Sequence, residues 1–60
     1  MDPTATLDMM RAAQAEARWE DADEHAHDLG TWLAFGGFEP EGMTSREFSY
    51  AMRAARVVLA

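Results

Sequence analysis

Arg18-Trp19-Glu20-Asp21 is the stretch on which the fold turns. From Thr4 to Leu29 there is no glycine or proline, and alanine dominates the first half. An unbroken helix over 3–35 would be about 50 Å long at 1.5 Å per residue. A last helix over 45–59 covers only half of that length, which leaves Leu7, Met9 and Met10 bare. A break near Arg18 removes the difficulty. Asp21 can supply an N-cap oxygen, and Glu24 three residues later completes a capping box. The reading is an all-α, small three-helix domain, 1–60, with helices at about 3–17, 20–35 and 45–59. The alternative is a two-helix hairpin with one long first helix, which dimerises into a bundle.

Outward from the break, both ends carry helix signals. Asp2-Pro3 is a start, an N-cap oxygen followed by a preset φ at the first helical position. Gly36-Gly37 is a stop. Glu39-Pro40-Glu41-Gly42 reads as a turn with proline at its second position. In Met43-Thr44-Ser45-Arg46-Glu47-Phe48, Thr44 and Glu47 form a capping box, with Met43 and Phe48 as the hydrophobic staple. A helix from Ser45 to about Leu59 follows.

Spacings of three and four pick out the faces. Trp19, Ala22, Ala26, Leu29 and Leu33 make one stripe on the middle helix. Phe48, Ala51, Met52, Ala55, Val58 and Leu59 make another on the last. The first helix offers Leu7 and Met10 with Ala13 or Ala17.

Composition bounds what such a fold can do. Of 60 residues 48% are apolar, but twelve of those are alanine, so few side chains can fill a core. A domain this small buries only about 60% of the surface of its unfolded chain. With no cysteine there is no disulfide and no thiolate metal site. Five arginines and no lysine stand against 11 acids, a net charge of −6. That balance argues against nucleic acid as a whole-protein partner. Lysine, isoleucine and asparagine are all absent, as a GC-rich genome would dictate; the acidity could also reflect a salt-loving host. No stretch approaches the roughly 20 apolar residues of a membrane span. Met1-Asp2-Pro3-Thr4 lacks the positive charge that opens a signal peptide. The expected setting is cytoplasmic.

Trp19-Glu20-Asp21-Ala22, then Ala26, Leu29, Trp32-Leu33 and Gly36-Gly37-Phe38-Glu39-Pro40 carry a resemblance. The pattern W-E-x-A…L-x-x-W-L-x-x-G-G-F-x-P resembles that of short uncharacterised helical proteins of bacteria and their phages. It covers roughly residues 5–40. It supports a break near Trp19 and implies no active site. The Trp-Glu-Asp-Ala start also resembles the second helix of a tetratricopeptide hairpin, but one hairpin cannot bury a solenoid core.

The chemistry-bearing residues are few. Glu24 and His27 form E-x-x-H, half of a di-iron ligand set, but Glu24 lies opposite the apolar stripe. His25 and His27 sit 200° apart on a helix and cannot chelate together. No nucleophile has a base at a catalytic spacing, and no phosphate-binding motif is present. The expectation is a non-enzymatic chain without metal or cofactor. Its surplus surface points to protein–protein interaction. Trp32 and His25 share a flank of the middle helix, while Tyr50, Ala54 and Val57, bordered by Arg53, line the outer side of the last. Trp32, His25, Tyr50, Arg53 and Val57 are therefore the candidate partner-binding residues. The expected partners are a second copy of the chain and a host or phage protein, in an accessory or regulatory role for a mobile element. Two other readings remain. Arg46, Ser49, Tyr50, Arg53 and Arg56 could form a nucleic-acid recognition helix. The acids Glu20, Asp21, Asp23, Glu24 and Asp28 could mimic DNA, although a solvated helix face is the plainer account.

Overall fold

The computed structural model describes residues 1–56 and holds three helices, α1 (Pro3–Ala15), α2 (Trp19–Ala34) and α3 (Ser45–Ala54). This is the small all-α three-helix domain that the sequence predicts. The middle helix is also central in space. Both α1 and α3 pack against α2, and no Cα of α1 lies within 8 Å of one in α3. Leu7 and Met10 from α1, Ala26 and Leu29 from α2, and Ala51 from α3 form one buried cluster.

The starts of α1 and α3 follow the sequence. The Asp2 carboxylate accepts from the Thr4 and Ala5 N–H groups at 3.0 and 3.2 Å, and Pro3 follows it. Thr44 and Glu47 close a complete capping box. The Glu47 N–H donates to Thr44 Oγ1 at 3.1 Å, and the Thr44 N–H donates to Glu47 Oε1 at 2.9 Å.

The break before α2 is real but differs in form. Asp21 caps nothing. Arg18 is the N-cap residue and offers no side-chain cap, while Asp21 sits inside the first turn with its carboxylate on Arg18. The stop lies in α1, which ends at Ala15, two residues early, because Ala17 adopts φ +56°. The Ala17 N–H donates to Gln14 O at 3.1 Å and the Arg18 N–H to Ala13 O at 2.8 Å. That pair is a Schellman ending with alanine in the left-handed position. The break is forced by the faces that must be buried. At 100° per residue, the centres of Leu7-Met10-Ala13 and of Ala22-Ala26-Leu29 fall about 130° apart on a continuous helix. One neighbour could not cover both, which removes the long-helix hairpin.

Gly30 explains how α3 reaches α2. It is buried in the second half of α2, and a Cβ there would overlap the Ala51 carbonyl and lie 2.7 Å from the Ala55 Cβ. The missing side chain lets the α3 backbone rest on α2.

Several expected positions shift. Trp19 is not part of the buried stripe; it is 59% exposed, because the turn of α2 begins with it. Ala17 is exposed in the junction. The tight turn runs from Pro40 to Met43, whose N–H donates to Pro40 O, with Gly42 at φ +80° in its third position. The turn thus starts one residue later than expected, with proline at its first position rather than its second, because the positive φ needs glycine third. The buried residues of α3, Ala51 and Met52, lie on the expected stripe, but the packed side is wider than expected: Tyr50 and Ala54 join the core cluster, while Phe48 is half-buried outside that cluster among the described residues. Gly30 sets this packing by admitting the Ala51 backbone. Finally, α3 ends at Ala54 rather than 59, with Arg56 at φ +60°. No glycine or proline marks that stop. Val57, Val58 and Leu59, expected on the last helix, lie outside the described residues.

Candidate functional site

The most developed surface lies at the C-terminal end of α2. Gly36 takes φ +89° and its N–H donates to Leu33 O at 3.1 Å, while the Gly37 N–H donates to Trp32 O at 2.9 Å. This second Schellman ending brings Gly37 back over Trp32. A Cβ on Gly37 would run into the indole ring, so only glycine lets the ring lie against the backbone. The indole Nε1 then donates to Phe38 O at 2.9 Å, and the Phe38 ring meets Trp32 edge-on, with centroids 5.6 Å apart at 88°. Trp32 is thereby held rigidly, half-buried against the core, with its one polar atom satisfied.

Beside it, Met1, His27, Asp28, Thr31 and Trp32 line a shallow open hollow. Its walls are largely apolar, and Asp28 supplies a carboxylate. His27 Nδ1 stands 3.7 Å from Asp28 Oδ1, with both side chains 58% exposed. Phe38 is 65% exposed, Met1 58%, and Phe35, just beyond α2, 88%.

The five candidate residues do not converge. Trp32 is fixed as described. His25 is half-buried, seven residues earlier on α2. Tyr50 is withdrawn from the outer side. It packs on the core cluster and its hydroxyl donates to Asp23 Oδ1 across the α2–α3 contact. Burial first, then the bond to Asp23, pushes its pKa up to about 12. Arg53 is exposed on α3. Val57 lies outside the described residues. The outer side of α3 therefore presents Arg46, Ser49 and Arg53 at spacings of three and four, with no aromatic among them.

The arginines divide into two sets. Arg11 grips Glu47 through Nε at 2.6 Å and Nη2 at 2.8 Å, and also donates to Gly42 O at 2.9 Å. Its guanidinium holds the Glu47 carboxyl down at about 2, with the cap bond from Thr44 adding to the effect against some desolvation. Arg18 donates to Asp21 at 2.6 Å and to Glu16 at 3.3 Å. Arg46, Arg53 and Arg56 have no acid within 4.0 Å among the described residues.

Two features escaped sequence reasoning. One is Gly30, whose presence inside a helix costs about 1 kcal/mol against alanine and so marks a close approach. The other is the Trp32–Gly37–Phe38 clasp, signalled by a Gly-Gly-Phe that begins four residues after the tryptophan. Among the described residues no three His, Asp or Glu side chains could hold a metal ion, and no helix is long and apolar enough to cross a membrane. Comparisons with protein-family models, curated proteins and solved structures found no match.

Proposed function

We propose that this chain is a small non-enzymatic protein–protein interaction module that acts as a homo-oligomer. One observation carries the reading. Phe35, Phe38 and Trp19 are each more than half exposed in a chain with six aromatic residues. Isolated exposed apolar residues are ordinary, but a chain this small can ill spare half its aromatics from its core. Phe38 is moreover braced against Trp32, as an interface anchor would be. An accessory or regulatory role in the cytoplasm, for a phage or other mobile element, rests on the Trp-Glu…Gly-Gly-Phe resemblance and the acidic composition. Sedimentation and melting across a concentration series test the reading. A dimer or larger assembly at micromolar concentration, with a Tm that rises with concentration, is expected. A 6.7 kDa species throughout, with a fixed Tm, would overturn it.

A second reading has its own support. The acid-free arginine face of α3 suits phosphate contacts, so nucleic-acid binding is the alternative. Its mark is a steep loss of duplex DNA binding with salt.

A further inference from the structure

The hollow beside Trp32 offers an indole and a carboxylate, the outer side of α3 offers arginines, and within one chain the two do not meet. Ala51 places one side of α3 on Gly30 of α2, and Arg46, Ser49 and Arg53 lie on the opposite side. On α2, Glu20, Glu24 and Asp28 recur every four residues along the exposed face and end at the hollow. That acidic stripe spans about 12 Å, and Arg46 to Arg53 spans about 10 Å. We propose that the hollow receives the arginine face of α3 from a second copy, with the partner's Arg53 seated between the Trp32 indole and the Asp28 carboxylate.

The chemistry of the hollow selects a guanidinium. A guanidinium is planar and weakly hydrated, stacks on an indole and takes a carboxylate through two N–H groups. Trp32 and Asp28 supply those two surfaces in one concavity. Among the described residues no arginine lies within 4.0 Å of Asp28, whose nearest side-chain nitrogen is the His27 Nδ1 at 3.7 Å. Nucleic acid would satisfy the arginines but not the hollow, and the net charge of −6 opposes it. Exposed ion pairs are individually weak, so the contact is salt-sensitive and relies on the Trp32 wall for the rest.

This inference rests on the self-association reading, and one experiment separates the two. Wild type, Arg53→Glu, Asp28→Arg and an equimolar mixture of the variants are followed by sedimentation equilibrium. Salt is set at about 0.01 M and about 1 M, between which the Debye length falls from about 30 to about 3 Å. Each variant alone should associate at least about tenfold more weakly than wild type, a loss of 1.4 kcal/mol or more. The mixture should regain association, because one acid–arginine contact is restored with its charges reversed. High salt should weaken wild type in the same direction. Both substituted side chains are exposed, and circular dichroism checks that helicity is kept. Should either variant unfold, Arg46→Glu and Glu20→Arg, the pair at the other end of the matched spans, replace the two. Association of wild type with no recovery in the mixture overturns this inference and leaves the self-association reading standing. A wild type that stays monomeric overturns both. Loss of duplex DNA binding in Arg53→Glu with unchanged self-association also overturns the docking proposal.

Discussion

The two helix junctions, residues 16–18 and 35–37, end their helices with the same pair of hydrogen bonds. In each, a residue with positive φ donates three residues back and its successor donates five back. At the second junction the left-handed residue is Gly36, at φ +89°; at the first it is Ala17, at φ +56°. Glycine takes this conformation freely, whereas a residue with a Cβ pays about 1–2 kcal/mol for it. The second turn is therefore written in local sequence. The first is imposed from outside, by buried faces of α1 and α2 that a continuous helix would aim in different directions.

Substitutions at the glycines sharpen this contrast. Gly30 is the extreme case of a residue chosen by its neighbour. Gly30→Ala should destabilise by about 2–3 kcal/mol, since the new methyl meets a backbone carbonyl and only a shift of α3 can relieve it. The helix propensity gained, about 1 kcal/mol, acts in the opposite direction. A melting curve equal to or above that of wild type would show that α3 does not rest on Gly30.

The junctions themselves should respond with opposite signs. Nothing lies within 4 Å of a Cβ built on Gly36, so Gly36→Ala tests conformation alone. It should lose about 1–2 kcal/mol. Ala17→Gly should gain up to about 1 kcal/mol by relieving the same strain, less the added freedom of the unfolded chain. Urea unfolding of both variants checks the pair. Destabilisation by Ala17→Gly would mean that Ala17 is not left-handed in solution.

The smallest expected effect comes from the Glu47 clasp, which braces the start of α3 from α1 and has no equivalent at the first junction. Its folded pKa, about 2, lies below the ordinary 4.5, so its contribution is present above about pH 4.5 and is lost as pH falls towards 2. Solvent screening reduces that contribution to about 1 kcal/mol. Acid titration of the Tm should show wild type falling through this window more than Glu47→Gln. Parallel curves would remove the clasp from the stability of the fold.

What the sequence determined alone is whatever short-range chemistry encodes. The Asp2-Pro3 start, the Thr44–Glu47 box, the Gly36 stop and the apolar spacing of Leu7, Met10, Ala13, Ala22, Ala26 and Leu29 each need only residues within a few turns of one another. They were enough for three helices and for most of the buried side chains. The tertiary structure decided what depends on a neighbour. Ala17 turns left-handed because the packing of α1 outweighs a local preference for helix. The phase of α3, and with it the burial of Tyr50 and its bond to Asp23, follows from the backbone contact at Gly30. Trp32 is amphipathic enough to serve core or surface, and the fold of Gly37 over its ring, with Phe38 O as acceptor, fixed it between the two. Even the pairing of Arg11 with Glu47, 36 residues apart, could not be read from spacing, because only the packing of α1 and α3 on a common helix brings those charges together.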